Sequence, residues 1–176
     1  MKKLQLNAEK RDILFRSLLA LAVLFVTVLL QTSFLPQVDL FGAIPDLVLI
    51  LVVGIGFFNG AKVGIPFGIG AGVVCYLLGG SGAAMIILLY ALLGFLSSRL
   101  VSGRNYISWC IYMAAACVIK MIWSLLMCLV LSAVPRPMAA LWHSLLPELV
   151  GTLVLSLALY YPVKAAAKLV KRKSEL

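Results

Sequence analysis

The chain has 176 residues, of which 64% are hydrophobic and only 12% are charged, and its formal net charge at pH 7 is +9. Soluble domains are about 45–50% apolar and about 25% charged, so this composition excludes a water-soluble domain of notable size. The sequence therefore predicts an all-α polytopic membrane protein that lies mostly in lipid.

Six apolar segments are candidates for transmembrane helices, because a hydrocarbon core of about 30 Å needs roughly 20 apolar residues per span. In chain order they are 14–34, 44–58, 61–78, 83–100, 106–134 and 141–163. We therefore predict a six-helix transmembrane domain over 14–163. A basic cytoplasmic N-terminus would precede it at 1–13, and a basic cytoplasmic tail would follow at 164–176.

The basic residues are distributed unequally between the two ends of these segments. With the N-terminus inside, all of the 15 Lys and Arg residues except Lys120 and Arg136 lie at inner ends. The positive-inside rule then places both termini in the cytoplasm. The first segment has the basic start of a signal peptide, but its apolar run is too long and no A-x-A-like site follows, so we interpret it as a retained span. The basic tail predicts attraction to anionic lipid at the inner surface, with an acidic cytosolic partner as the alternative.

Glycines recur every fourth residue in the third segment, at Gly60, Gly64, Gly68 and Gly72. Small residues at this spacing let helix backbones approach closely in lipid. The segment is therefore predicted to be a transmembrane helix with one bare face rather than a flexible linker. That face serves either dense packing within the bundle or a groove that admits a partner helix. Pro66 is expected to kink the helix.

Two features argue against an enzyme. The four cysteines fall within predicted spans without a C-x-x-C pair, as expected for small buried hydrophobes rather than metal ligands or disulfides: Cys75, Cys110, Cys117 and Cys128. The single histidine, His143, is placed beside Trp142 at the outer headgroups, and no catalytic motif is found. We expect no catalytic activity, no cofactor and no metal.

Three ionisable residues lie within or at the edge of the apolar segments, where charges are costly and merit a functional hypothesis. Asp46 follows Pro45, and Glu148 follows Pro147, so each acid would lie in the first turn of a helix and complement its dipole. Lys120 lies near the middle of the fifth segment. Glu148 is the first candidate to pair with Lys120 and Asp46 the second, with a charge that faces a partner as the alternative.

The run 31–74 resembles the rod shape-determining protein MreD family. Such proteins carry Q-[ST]-[ST]-x-L-P near the end of the first span, F-G-x-x-P-D-L at the second, and a glycine-spaced third span. This chain has the first motif from Gln31 to Pro36 and the second at 41–47, which includes Gly42, Pro45 and Asp46. One departure is Tyr76, which stands where many relatives carry an aspartate.

The resemblance implies a six-helix protein of the bacterial cytoplasmic membrane, with a fold similar to the S components of energy-coupling-factor transporters. It implies a non-catalytic scaffold of the rod complex that binds MreC and works with MreB and with RodA and its class B penicillin-binding protein. Its role would be cell-shape maintenance and lateral peptidoglycan synthesis. The fold similarity supplies the alternative function, a substrate-binding membrane subunit of a vitamin transporter.

Overall fold

A computed structural model describes residues 2–37, 44–79, 85–99, 105–130 and 145–170. Nearly all of these residues are helical, and these ranges contain no strand. Among the predicted features, Gly42, Arg104, Arg136, Trp142, His143 and the end of the tail at 171–176 lie outside the described residues.

Seven α-helices lie within the described ranges. They are α1 (Lys2–Leu29), α2 (Leu47–Asn59), α3 (Ala61–Gly79), α4 (Met85–Leu96), α5 (Tyr106–Val130), α6 (Leu146–Ala158) and α7 (Tyr160–Val170). Helix α1 continues through a π-helical turn, Leu30–Phe34, into a 3₁₀ turn, Leu35–Gln37. The all-α prediction is confirmed for this part of the chain.

Several of the helices could span a membrane. Three are long and apolar enough, over Ser17–Gln37, Ala61–Leu78 and Tyr106–Met127, and the bent pair α6–α7 makes a fourth if it forms one span. Helices α2 and α4 have only 13 and 12 residues. At 1.5 Å per residue they are roughly 18–20 Å long, which is less than the hydrocarbon core. The described residues thus support a multi-pass membrane protein, but the predicted count of six spans is not confirmed.

Helix α2 forms the centre of the bundle. It contacts each of the other six helices, and every residue from Val48 to Asn59 is buried. Its apolar side chains pack against an aromatic cluster in which the Phe57 and Phe58 rings lie 5.9 and 6.0 Å from that of Trp109. Such edge and stacked contacts add about 0.5–1.5 kcal/mol per pair beyond the area that they bury.

The directions of the first three helices follow from one hydrogen bond between α1 and α2 and from the short turn between α2 and α3. The Gln31 side chain, just beyond α1, accepts a hydrogen bond from the main-chain N–H of Val48 at the start of α2 (3.0 Å). Helix α1 is therefore antiparallel to α2. A single residue, Gly60, connects α2 to α3, so these two helices form a tight hairpin. Consequently α1 and α3 run in the same direction.

The hairpin depends on the backbone conformation of Gly60, which has φ 85° and ψ 175°. This region is accessible essentially to glycine alone. A Cβ at Gly60 would meet no atom within 4 Å, so a substitution is penalised by the backbone conformation and not by a clash.

We expect Gly60→Ala to lower the free energy of unfolding by about 1–3 kcal/mol in detergent. Gly70→Ala, also in open space but in a regular helix, is the control and is expected to be neutral or stabilising.

The last predicted span differs from the structure. The prediction treats 141–163 as one span, but the chain turns by 71° between α6 and α7 at Leu159. Pro162 explains the break, because its ring clashes with the carbonyl four residues earlier in a continuous helix. Helix α7 continues to Val170, so the predicted tail at 164–176 begins within this helix. Its buried stripe packs on α1 and α2: Tyr160, Val163, Ala167 and Val170.

Candidate functional site

A cluster of three charged side chains lies between the central helix and its neighbours. The Nζ atom of Lys120, on α5, donates to Oδ2 of Asp46 (2.5 Å) and to Oε1 of Glu148. The side chains of Lys120 and Asp46 are 17% and 2% exposed, and that of Glu148 is 25% exposed. The structure thus brings Lys120 together with both acids that the sequence proposed as its partners.

Asp46 is the most connected member of the cluster. It is the N-cap of α2, where its Oδ1 accepts from the main-chain N–H of Leu49 (2.9 Å). Its Oδ2 also accepts from the Tyr90 hydroxyl on α4 (3.0 Å), and its own N–H donates to Thr152 Oγ1 on α6 (3.0 Å). One residue therefore links α2 to three other helices. It lies one position before the first helical residue, and not in the first turn as predicted.

Glu148 occupies the predicted place in the first turn of α6, with Pro147 beside it. Thr152, one turn later, donates its hydroxyl to the Glu148 carbonyl (2.7 Å) while it accepts from Asp46. Neither Thr152 nor Tyr90 was identified from the sequence as a member of the cluster. Thr152 had a detectable signal, since it lies four residues after Glu148 on the same helical face. Tyr90 had none, because a tyrosine in an apolar helix is typical of ordinary core packing.

Electrostatically, the cluster contains two carboxylates and one ammonium. A lone charge at this depth costs several kcal/mol, and pairing with hydrogen bonds to the remaining oxygens offsets that cost. Among the described residues, no buried side-chain nitrogen or oxygen lacks a hydrogen-bond partner. The same residues contain no group of three His, Cys, Asp or Glu that could hold a metal. The arrangement is suited to fastening helices together.

The described residues of the first two MreD-like motifs lie around the start of α2. Gln31 accepts from Val48 and Asp46 caps the helix, so both satisfy main-chain N–H groups that a helix start leaves free. Pro45 lies close to Gly151, where an added Cβ would be 3.3 Å from the Pro45 ring. Pro36 belongs to the 3₁₀ turn that ends the first span. These motif residues therefore fix how the first, second and sixth helices meet.

The glycine face of α3 is covered by α4 of the same chain. A Cβ at Gly64 would lie 2.5 Å from the Gly94 carbonyl oxygen, and one at Gly68 would lie 2.8 Å from the Tyr90 carbonyl carbon. One at Gly72 would collide with Ile87. The interpretation of this face as a groove for a partner helix is corrected, because α4 already occupies it. Gly60 is not part of the face, since it forms the turn before α3.

Among the described residues, a second surface, the α1–α3 groove, is left open. It has a cavity volume of about 360 Å³. Its walls come from α1 (Ser17, Ala20, Leu21, Leu24) and α3 (Lys62, Val63, Pro66, Phe67, Gly70, Val74), with Val170 from α7. Gly70 points into free space, since a Cβ there would meet nothing within 4 Å. The regular glycine spacing indicates the covered face, whereas the open groove is lined by Gly70, which lies outside that spacing.

The remaining candidate residues are dispersed. Cys75, Cys110 and Cys117 are free thiols, and the side chain of Cys128 lies outside the described part of the chain. Tyr76 is 48% exposed on the surface of α3. Comparisons of the chain with family models, with curated proteins and with solved structures found no match.

Proposed function

We propose that this protein is a non-catalytic integral membrane scaffold of the bacterial rod complex. In this proposal it lies in the cytoplasmic membrane with both termini inside. It binds the membrane protein MreC, and through it supports cell-shape maintenance and lateral peptidoglycan synthesis. MreB and RodA with its penicillin-binding partner are the further components that the resemblance of 31–74 to MreD implies.

The observation that carries the proposal is that the motif residues hold neighbouring helices together through hydrogen bonds and an ion pair. Gln31 and Asp46 form hydrogen bonds to the first turn of α2, and Asp46 also pairs with Lys120. A residue whose oxygen atoms are all engaged in holding helices does not have a free group for acid–base chemistry. Motif residues that specify a rigid helix arrangement are what a scaffold requires, because it must present a constant surface to its partners.

The alternative function, binding of a vitamin for transport, is less well supported by the described residues. Small-molecule sites combine a cavity with several converging polar groups. Among the described residues that line it, the α1–α3 groove has only two polar side chains, Ser17 and Lys62, both near one end. The polar groups of the charge cluster instead bond to one another. Neither place offers the converging donors and acceptors that hold a water-soluble vitamin.

Affinity purification from native membranes in mild detergent tests the scaffold proposal. We expect the tagged chain to recover MreC in near-equal amounts, and an equally tagged multi-pass protein of the same membrane, as the control, not to recover it. A parallel thermal-shift series with water-soluble vitamins is expected to leave the melting temperature of the purified chain unchanged. Recovery without MreC, together with stabilisation of several degrees by one vitamin, would replace the scaffold with the transport subunit.

A further inference from the structure

The two ends of the α1–α3 groove differ in polarity. Ser17 and Lys62 are its polar lining residues, and they are close to the first residues of the candidate spans Ser17–Gln37 and Ala61–Leu78. Because α1 and α3 run in the same direction, both residues lie at the same end of the groove. Farther along, the walls are apolar, with Leu24, Phe67 and Val74. Such a groove is suited to an amphiphile in one orientation, with its polar headgroup at the end of Ser17 and Lys62 and its apolar chain along the rest of the groove.

The length of the groove corresponds to one leaflet. From Lys62 to Val74 it extends for about 18 Å along α3 at 1.5 Å per residue. One leaflet contributes about half of the 30 Å hydrocarbon core, or about 15 Å. An acyl chain that starts at the headgroup level beside Lys62 would thus reach the bilayer midplane within the groove. Gly70 leaves the space that such a chain needs, since no atom lies within 4 Å of a Cβ built there.

The charge at the polar end selects the headgroup. Lys62 is exposed at the rim of the groove. Val170 lines the same end, because α7 meets the end of α2 there, where the Asn59 side chain donates to the Ala167 carbonyl. Basic pockets between membrane helices bind phosphate headgroups. We propose that the α1–α3 groove binds one anionic phospholipid, with an acyl chain between α1 and α3 and its phosphate at Lys62. A specific lipid site differs from general attraction of the tail to an anionic surface, because it depends on groove shape as well as charge.

Native mass spectrometry of the purified full chain tests this site with phosphatidylglycerol and with phosphatidylcholine of the same acyl chains. The wild type is expected to bind phosphatidylglycerol at least fivefold more tightly. One lysine near a phosphate changes affinity by about fivefold, so Lys62→Gln is expected to remove most of that preference. Lys168→Gln is the matched control, since this exposed lysine does not line the groove, and it is expected to change affinity less than twofold.

Shape is tested separately from charge. Gly70→Leu adds a side chain to the groove wall at a position where a Cβ would meet no atom within 4 Å, and it is expected to weaken binding of both lipids by tenfold or more. Val73→Leu adds bulk to α3 at a 38% exposed position outside the groove and is expected to have no effect. If Gly70→Leu does not fold, Ala20→Leu on the opposite wall gives the same readout. Equal binding of the two lipids by the wild type, or wild-type binding after the groove is filled, would overturn the proposal. The proposal would also be overturned if Gly70→Leu displaced the transmembrane helix of a partner protein from the groove and left lipid binding unchanged.

Discussion

Lys120→Met is expected to destabilise the folded protein by about 3–5 kcal/mol, the usual cost of removing one partner from a buried ion pair. The loss of the ammonium leaves Asp46 and Glu148 facing each other without a counter-charge. Because Asp46 caps α2 and bonds to α4 and α6, its repositioning disturbs the centre of the bundle. The free energy of unfolding in mixed micelles measures the effect. Lys168→Met is the control, because this lysine is exposed on α7, and it is expected to change stability by less than about 0.5 kcal/mol.

A second substitution identifies which acid depends on Lys120. The Asp46 side chain is 2% exposed and that of Glu148 is 25% exposed, so the uncompensated charge on Asp46 is the more costly. We expect Lys120→Met to be tolerated better with Glu148→Gln than alone, and better still with Asp46→Asn, which keeps an oxygen for the helix cap. Double-mutant cycles give the coupling energies, expected at about 1–3 kcal/mol. Strictly additive effects in both cycles would show that the three charges do not act as a unit.

The charge cluster shows how far the sequence can predict a site. A lysine in the middle of an apolar helix is costly enough to demand a partner, and the chain has only six Asp and Glu residues from which to choose. This scarcity made Asp46 and Glu148 predictable. The ranking was not predictable, because it depends on how deeply each carboxylate is buried. By sequence Glu148 is the first candidate, whereas in the structure Asp46 has the more buried and more highly bonded carboxylate.

The bounds and roles of several helices were harder to predict. Hydropathy identifies apolar segments, but it does not distinguish a span from a short helix surrounded by other helices. Helix α2, with 13 residues that are almost all buried, is such a case. The bend after α6 has a sequence signal in Pro162, although the adjoining apolar residues favoured one continuous span. Beyond it, α7 is amphipathic and packs on α1 and α2, whereas the high content of basic residues favours a basic tail from residue 164 onward.

The glycine pattern illustrates a different ambiguity. Spacing by four indicates that a second backbone approaches α3, but not which chain supplies it. In the structure the approaching backbone is that of α4, which has its own glycine, Gly94, opposite Gly64. A bare face on each helix lets the backbones meet without side chains between them. In lipid, this close contact takes the place of the hydrophobic effect that stabilises soluble cores.

Gly68→Leu is therefore expected to prevent normal folding. A side chain there would enter the backbone of Tyr90 and Ala91, neither of which can move without displacing α4. Overpacking of a core costs about 1–3 kcal/mol when flexible side chains can yield, and more is expected here because main-chain atoms must move. Displacement of α4 would also withdraw the Tyr90 hydroxyl from Asp46. We expect a yield of folded protein well below that of the wild type, and a melting temperature in detergent lowered by many degrees.

Gly70→Leu is the matched control, because it introduces the same side chain two residues away on the same helix. Its Cβ would meet no atom within 4 Å, so it is expected to retain the wild-type yield and melting temperature. Size-exclusion profiles and thermal unfolding of the two variants, purified in parallel, provide the comparison. If both variants behave alike, whether intact or misfolded, then the close contact of α3 with α4 does not determine stability. A large difference between them would locate the packing face of α3 on the side of Gly68, and its open face on the side of Gly70.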